Sequence, residues 1–389
     1  MTSPTMPRLV IAAGGTGGHI FPALAVAQAM ARQGVAIEWV GSNRGLEARV
    51  VRDQAGFALT ELTVQGLRGR GLAGIISLPL GLLRSLVDCW RLLARVRPGM
   101  VLVFGGYVSF PVGLVARLQG RLLVVHEQNA VMGSANRWLA RIAHRVFTSF
   151  ARTRYAPASS VCVGNPVREA LTAAAAAGPR EMGQGSPLRL LVLGGSLGAR
   201  ALNQALPPVV SQVQSRWPGG LSVWHQTGTL AQPEVQAAYE QQPAQPHDLR
   251  VDAFIDDMAQ AYRWADLVVC RAGASTVAEL AAVGLPAIFV PLPNAIDDHQ
   301  TANAQALVSR GAAAIVPQTP ALVDALSATL AALAPDRLRA MARATESLDA
   351  GNALARILQE LQAIWPDLNE AAAVTTGPMA RADARGEPL

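Results

Sequence analysis

Leu9-Val-Ile-Ala-Ala-Gly14-Gly15-Thr16-Gly17-Gly18-His19 is an apolar run that breaks into glycines and leads directly into Ile20-Phe-Pro-Ala-Leu-Ala-Val-Ala27. The run reads as a buried strand and its continuation as a helix, so the glycines stand at a helix N-terminus. Backbone N–H groups there lack intrahelical partners, and the helix dipole adds partial positive charge. Such a turn accommodates phosphate, or negative charge that builds up in a reaction. The same pattern returns at Leu188-Arg-Leu-Leu-Val-Leu-Gly194-Gly195-Ser196-Leu197-Gly198-Ala199, ahead of Arg200-Ala-Leu-Asn203. Two copies predict two nucleotide-binding-type domains facing one cleft.

Composition narrows the chemistry. The chain has 389 residues, 51% of them hydrophobic, which suffices for two domains with cores of their own. It contains no lysine, all 33 basic residues being arginine. Schiff-base catalysis and the lysine-dependent phosphate loop are therefore excluded. Cys89, Cys162 and Cys270 show neither zinc spacing nor a disulfide framework, and a reducing cytoplasm fits them. No charged-then-apolar leader precedes the first strand. Residues 1–165 carry 18 arginines against 6 acids, and the remainder 15 against 21, which sums to the overall +6. The basic half suits an anionic partner. Aromatics make up only 5% and do not interleave with basic runs, which argues against nucleic acid. Met100–Ala116 is uncharged but short for a membrane span, and Gly105-Gly106 and Pro111 divide it into strand, turn and helix start.

Apolar runs at 9–13, 36–41, 100–104, 121–125 and 145–149 predict strands of a parallel sheet covered on both faces. After Gly164-Asn165-Pro166, an alanine-, glycine- and proline-rich stretch through Pro187 predicts a linker. The alternation resumes at 188–193, 221–226, 249–251, 266–270, 286–290 and 312–316. The expected organisation is a first domain over 1–166, a linker over 167–187 and a second domain over 188–344. A final helical pattern over about 335–364 has its end, near 345–364, available to pack back on the first domain. The tail over 366–389 is expected to be disordered.

A dinucleotide fingerprint fails in both turns, the first having Ile20 where a third glycine belongs. Glycines needed only for strand–helix packing remain a reading for either turn alone. A third turn, Leu267-Val-Val-Cys270-Arg271-Ala272-Gly273-Ala274-Ser275-Thr276-Val277-Ala278-Glu279, places small and hydroxyl residues at a helix start, fit for a diphosphate. Glu279, one helical turn on, suits two ribose hydroxyls. The adjacent pairs Asp256-Asp257 and Asp297-Asp298 read as helix caps, and no metal or other cofactor is expected.

In order along the chain come Gly14-Gly-Thr-Gly-Gly-His19, Gly105-Gly-Tyr-Val-Ser109, His126-Glu-Gln-Asn129, Gly164-Asn-Pro-Val-Arg168, Gly194-Gly-Ser-Leu-Gly-Ala199, Phe254-Ile-Asp-Asp-Met258, Arg271–Glu279 and His299-Gln300. Over about residues 8–360 this order resembles the MurG family, peripheral membrane glycosyltransferases of peptidoglycan synthesis. The resemblance implies an α/β GT-B fold of two Rossmann-like parallel-sheet domains facing a cleft. It also implies inverting transfer of N-acetylglucosamine from UDP-N-acetylglucosamine to the 4-hydroxyl of the muramoyl sugar of lipid I, forming lipid II. The site would be the cytoplasmic face of the inner membrane, in the service of cell-wall growth, shape and division.

Carried over by position, the family pattern sets Ile255 against uracil through its backbone and Glu279 on the ribose. Ser196, Ala274, Ser275 and Thr276 meet the diphosphate, with Val277 and Ala278 beside them. Gln300 and Asn129 hold the sugar hydroxyls, Thr16, Gly17 and Gly18 close from the other domain, and Arg168 touches the donor from the hinge. The segment Pro293–Asp297 departs from the family pattern, which leaves the Gln300 assignment softer than that of Glu279.

His19 suits a general base near neutral pH, or else a residue that hydrogen-bonds a neighbouring loop and shapes the acceptor site. His126 and Glu127 are rival bases. From Pro79, the spacing Leu83, Leu86/Val87, Trp90 and Leu93 predicts a helix whose apolar stripe packs on the sheet. Leu72, Ile75, Ile76 and Leu78, rimmed by Arg68, Arg70 and Arg84, predict a loop that docks on an anionic membrane. Competing readings are a 2-epimerase or diacylglycerol glycosyltransferase on the same fold, a UDP-N-acetylglucosamine-sensing regulator and a basic nucleic-acid binder.

Overall fold

A computed structural model of the chain describes residues 6–42, 50–52, 55–62, 78–175, 185–195, 198–346, 350–366 and 368. The first domain is built on β1 (Arg8–Ala13), β2 (Ala36–Gly41), β3 (Ala58–Glu61), β4 (Met100–Gly105), β5 (Leu122–Glu127), β6 (Arg145–Thr148) and β7 (Val161–Cys162). Its helices are α1 (Gly17–Arg32), α2 (Leu78–Val96), α3 (Ser109–Leu118) and α4 (Ser134–Leu139), and α5 (Glu169–Ala175) follows and packs on the second domain, with Leu171 in the core beside Leu191, Ile255 and Tyr262. The second has β8 (Leu188–Leu193), β9 (Leu221–Gln226), β10 (Asp248–Asp252), β11 (Leu267–Cys270), β12 (Ala287–Phe289) and β13 (Ala313–Ile315). Its helices are α6 (Arg200–Val213), α7 (Gln232–Glu240), α8 (Met258–Trp264), α9 (Ala274–Val283), α10 (His299–Val308), α11 (Leu322–Ala331) and α12 (Pro335–Glu346), and α13 (Ala353–Ile364) follows.

Both sheets are wholly parallel, ordered β3-β2-β1-β4-β5-β6-β7 and β10-β9-β8-β11-β12-β13. Alternate residues of each central strand enter opposite cores. In β1, Leu9 and Ile11 face one cluster and Val10 and Ala12 the other. In β8, Leu190 and Val192 oppose Leu191 and Leu193 in the same way. Burying a side chain of this size contributes about 1.5–3 kcal/mol, so two-sided burial explains the unbroken apolar runs. The order reverses between β1 and β4 and between β8 and β11, and ligands of doubly wound sheets bind outside the strand ends at such points. All three glycine turns stand there.

The structure adds the edge strands β3 and β7 to those expected. It also splits the helical pattern expected over 335–364 into α12 and α13, with a short 3₁₀ turn at Ala350–Asn352 between them. From α13 onward, Ile357, Leu361, Trp365 and Leu368 are buried with Leu9 and Ile11, so the chain's end seals the first domain. Leu368 thus opens the expected tail inside a core; the rest of that tail lies outside the described residues, apart from residue 366.

The α2 stripe follows the sequence expectation only in part. Leu93 is buried and Leu86 packs on the sheet core as expected, but Ser85, Cys89, Leu92 and Val96 complete the buried face, and Leu83, Val87 and Trp90 face out. Among the described residues no helix is long and apolar enough to cross a membrane.

Candidate functional site

The N-termini of α1 and α9 meet from opposite domains. Their N-cap residues, Thr16 and Gly273, give the first N–H groups of these helices no side-chain capping bond. Ser275 Oγ donates across the gap between them to the Gly18 carbonyl at 3.4 Å. Thr16, Gly17, Gly18, Ala274, Ser275, Thr276, Val277 and Ala278 therefore belong to two facing helix starts. Ser196 lies outside the described residues.

Close backbone approach explains the glycines. Gly106 has φ +84°, and a Cβ there would sit 2.3 Å from the Gly14 carbonyl oxygen. Gly198 has φ +77°, and its Cβ would come within 2.1 Å of the Thr227 carbonyl oxygen. Only glycine lets the β1 turn lie against the β4 turn, and the β8 turn against the end of β9.

His19 hangs into the first turn. Its Nδ1 is 3.0 Å from the Gly14 carbonyl, an acceptor only, so Nδ1 carries a proton and donates to it. Nε2 points past Gly105, where a Cβ would stand 3.1 Å away. With Nδ1 fixed as the donor, the neutral form of the ring would offer Nε2 as an acceptor, the geometry of a general base.

The two rivals are occupied otherwise. Glu127 Oε1 accepts from the N–H and Nδ2 of Asn129, and Oε2 accepts from the N–H of Gly133 and Nδ2 of Asn136, at 2.8–3.1 Å. The carboxylate is the organiser of the 129–136 loop. His126 is fully buried against Phe104, with Nε2 3.0 Å from the Gly164 carbonyl. Burial lowers its pKa to about 4 against the weaker opposing effect of that bond, so it stays neutral.

Glu279 lies at the far side of the gap, nearly buried. Tyr262 O–H donates to its Oε2 at 2.8 Å, and Arg168 Nη2 is 3.5 Å from Oε1. Burial raises the carboxyl's pKa, and Arg168 and the tyrosine hydrogen bond oppose that. Arg168 stacks on Phe21 of α1 at 4.8 Å, and its buried Nε has no partner within the protein. It stands between both domains with a donor in hand.

Asn129 and Gln300, expected on the sugar, are held by neighbours. Asn129 gives Nδ2 to Glu127, and its Oδ1 accepts from Asn303 Nδ2 of α10 at 3.1 Å. Gln300 Oε1 accepts from the Leu292 N–H at 2.9 Å. Ile255 N–H donates to Gln226 Oε1 at 3.1 Å, and Gln226 Nε2 donates to the Gly195 carbonyl. The Ile255 N–H is thus already engaged within the protein. Asn303, Tyr262 and Gln226 carried no motif signal in the sequence.

Among the acidic pairs, Asp257 caps α8 by accepting from the Gln260 N–H. Asp297 departs from the cap expectation: it takes Arg137 on its carboxylate and Arg154 on its carbonyl, a further tie between the domains. Among the described residues no three His, Cys, Asp or Glu side chains gather as a metal site would need.

Away from the gap, α2, α3 and α4 share an apolar surface. Trp90 is 49% exposed, Leu118 65% and Trp138 63%, beside Leu83 and Val87. Gln119 Nε2 donates to the Trp90 carbonyl, and Arg141 stacks on Trp138 at 4.4 Å. Arg84 is exposed on α2. Residues 68, 70, 72, 75 and 76 of the expected docking loop lie outside the described residues; Leu78 begins α2.

Residues 9–148 match the glycosyltransferase family 28 N-terminal domain and residues 189–361 the family 28 C-terminal domain. The UDP-N-acetylglucosamine--N-acetylmuramyl-(pentapeptide) pyrophosphoryl-undecaprenol N-acetylglucosamine transferase of Shewanella denitrificans is 46% identical, over 92% of this chain and 98% of its own. The crystal structure of Acinetobacter baumannii MurG is similar at a TM-score of 0.74 and 36% identity, covering 92% of this chain and all of that one. A UDP-N-acetylglucosamine 2-epimerase structure from Listeria monocytogenes reaches a TM-score of 0.64 at 16% identity over 93% and 98% of the two chains, a likeness of fold alone.

Proposed function

The chain belongs to glycosyltransferase family 28, and from that we propose that it transfers N-acetylglucosamine from UDP-N-acetylglucosamine to lipid I, the undecaprenyl-diphosphate-linked muramoyl pentapeptide, forming lipid II. The observation that carries the reading is the pair of uncapped helix starts meeting across the cleft, with His19 on one side and Glu279 on the other. Residues 1–166 serve the acceptor and the membrane, 188–344 hold the donor, and 167–187 join them.

In this reading Glu279 accepts from the ribose hydroxyls, Ile255 meets uracil, and Ser196 with Ala274, Ser275 and Thr276 takes the diphosphate. His19 Nε2 removes the proton from the acceptor's 4-hydroxyl. The freed oxygen attacks C1 of the donor sugar from the side opposite the diphosphate, the C1–O bond to phosphate breaks, and configuration inverts. Negative charge on departing UDP falls at the N-termini of α1 and α9, where unpaired N–H groups and the dipoles stabilise it. Arg168 adds a fixed cation.

The apolar face of α2, α3 and α4 and the segment from Arg68 to Leu78 are the two candidates for the docking surface. That surface rests on an anionic membrane at the cytoplasmic face, where a lipid-linked acceptor is found. Transfer of labelled N-acetylglucosamine from UDP-N-acetylglucosamine onto a muramoyl-diphosphate lipid, giving a β-linked disaccharide, tests the proposal. UDP-N-acetylglucosamine epimerised with no transfer would refute it.

A further inference from the structure

Tyr262 has no place in any motif, yet it makes one of the most consequential contacts of the donor domain. Its ring is buried in the core beside Val277 and Leu280, and its hydroxyl donates to Glu279 Oε2 at 2.8 Å. The other oxygen, Oε1, has only Arg168 Nη2 at 3.5 Å, too long for a firm hydrogen bond. The carboxylate is thus pinned on one side and open on the other.

We propose that Tyr262 is a positioning residue for nucleotide recognition: it fixes the plane and ionised state of Glu279 so that the carboxylate receives a ribose diol and discriminates a ribonucleotide from a 2′-deoxyribonucleotide donor. The inference rests on the reading of Glu279 as the ribose ligand.

Two physical requirements support it. A glutamate side chain has three rotatable bonds, and bidentate acceptance from two hydroxyls needs one orientation of its terminal group; the buried tyrosine supplies this before the ligand arrives. An acceptor-only carboxylate must also be ionised, whereas burial at this position favours the protonated acid. The groups facing Glu279 are Tyr262 from α8, Arg168 from the segment before α5 and Cys270 at the end of β11. Cys270 is itself buried, its thiol pushed above the ordinary range and so neutral. Tyr262 and Arg168 are the groups that hold the charge.

The test compares UDP-N-acetylglucosamine with its 2′-deoxyuridine counterpart in the parent, Tyr262→Phe and Glu279→Gln proteins. Phenylalanine keeps the ring, and matched melting temperatures establish that the variants are folded. Tyr262→Phe is expected to weaken the ribonucleotide donor about tenfold and the deoxy donor about twofold. The preference shrinks, donor KM rises and kcat stays within about twofold. Removing the hydroxyl also withdraws a bond that favours the charged carboxylate, so the acid loss of donor affinity moves to higher pH. A Tyr262→Phe protein with the parent's preference and pH profile overturns the inference. A Glu279→Gln protein that keeps the parent's preference overturns the ribose reading beneath it, a result separable from the first.

Discussion

Asn303 of the second domain donates its Nδ2 proton to the Oδ1 of Asn129 in the first, 3.1 Å away, and is itself fully buried. Its amide is used completely. Oδ1 accepts from the Ala130 N–H at 2.7 Å, and Nδ2 also reaches the Ala272 carbonyl at 3.2 Å. One side chain therefore joins the loop after β5, the start of the third glycine turn and a residue assigned to the sugar.

Asn303→Ala is accordingly expected to cost about 1–3 kcal/mol, because it leaves buried polar groups unpaired. If Asn129 contacts the sugar, as the family pattern implies, it should also raise the KM for UDP-N-acetylglucosamine more than the Kd for UDP. Denaturant unfolding and steady-state kinetics measure the two effects. Equal weakening of both ligands would show that Asn303 supports the domain contact without orienting Asn129.

His19→Asn keeps an amide donor at the Nδ1 position that faces the Gly14 carbonyl while removing the basic nitrogen. General bases contribute about 10²–10⁴-fold, so kcat should fall by that range with UDP affinity nearly unchanged. A fall of less than tenfold at saturating substrates would make His19 a residue that shapes the acceptor pocket.

The central strands were readable because two-sided burial leaves uninterrupted apolar runs closed by glycine. β3 and β7 were not, since Ala58-Leu-Thr-Glu61 and Val161-Cys162 are short edge strands with little to bury. The helix starts that face the cleft were legible as motifs because glycine and hydroxyl residues at helix starts have a local cause. Asn303 and Tyr262 act over long separations in sequence, and a polar residue on a helix reads there as a solvated one. The direction of α2 was illegible for another reason. Its apolar and small residues surround most of the helix, so periodicity marked Leu83, Val87 and Trp90 without saying that Ser85, Cys89 and Leu92 would take the inside.

Acid should weaken the fold through His126. Burial lowers its folded pKa from 6.5 to about 4, while in the unfolded chain it titrates near its ordinary value. Between pH 6.5 and 4 the unfolded state binds a proton that the folded state refuses. The stabilisation is complete above pH 6.5 and is lost as pH falls toward 4. At about 1.4 kcal/mol per unit this amounts to roughly 3 kcal/mol. Buried His225, lowered to about 3 by desolvation, adds loss of the same sign. Urea midpoints at pH 7 and 4.5 should converge by roughly 2–3 kcal/mol in His126→Gln relative to the parent. An unchanged difference would mean that His126 is not neutral in the fold.

Membrane docking gives the last expectation, and α2 supplies its residues. Leu83, Val87 and Trp90 stand one helical turn apart on an exposed face, Leu118 and Trp138 extend it, and Arg84 and Arg141 stand beside them. An apolar surface of this kind is costly in water and favourable at the boundary of headgroups and acyl chains. If each of three side chains contributes about 1 kcal/mol on insertion, replacing all three by serine weakens vesicle binding about 100-fold. Each arginine near an anionic surface adds about 1 kcal/mol, so binding by the parent should also fall with salt as the Debye length shrinks below ~10 Å. Transfer to a short, water-soluble acceptor should be nearly unaffected, because it needs no docking on a bilayer. Sedimentation with phosphatidylglycerol vesicles separates the possibilities. A Leu83→Ser, Val87→Ser, Trp90→Ser protein that still pellets like the parent would mean that α2 is not the docking face and that the segment from Arg68 to Leu78 acts without it.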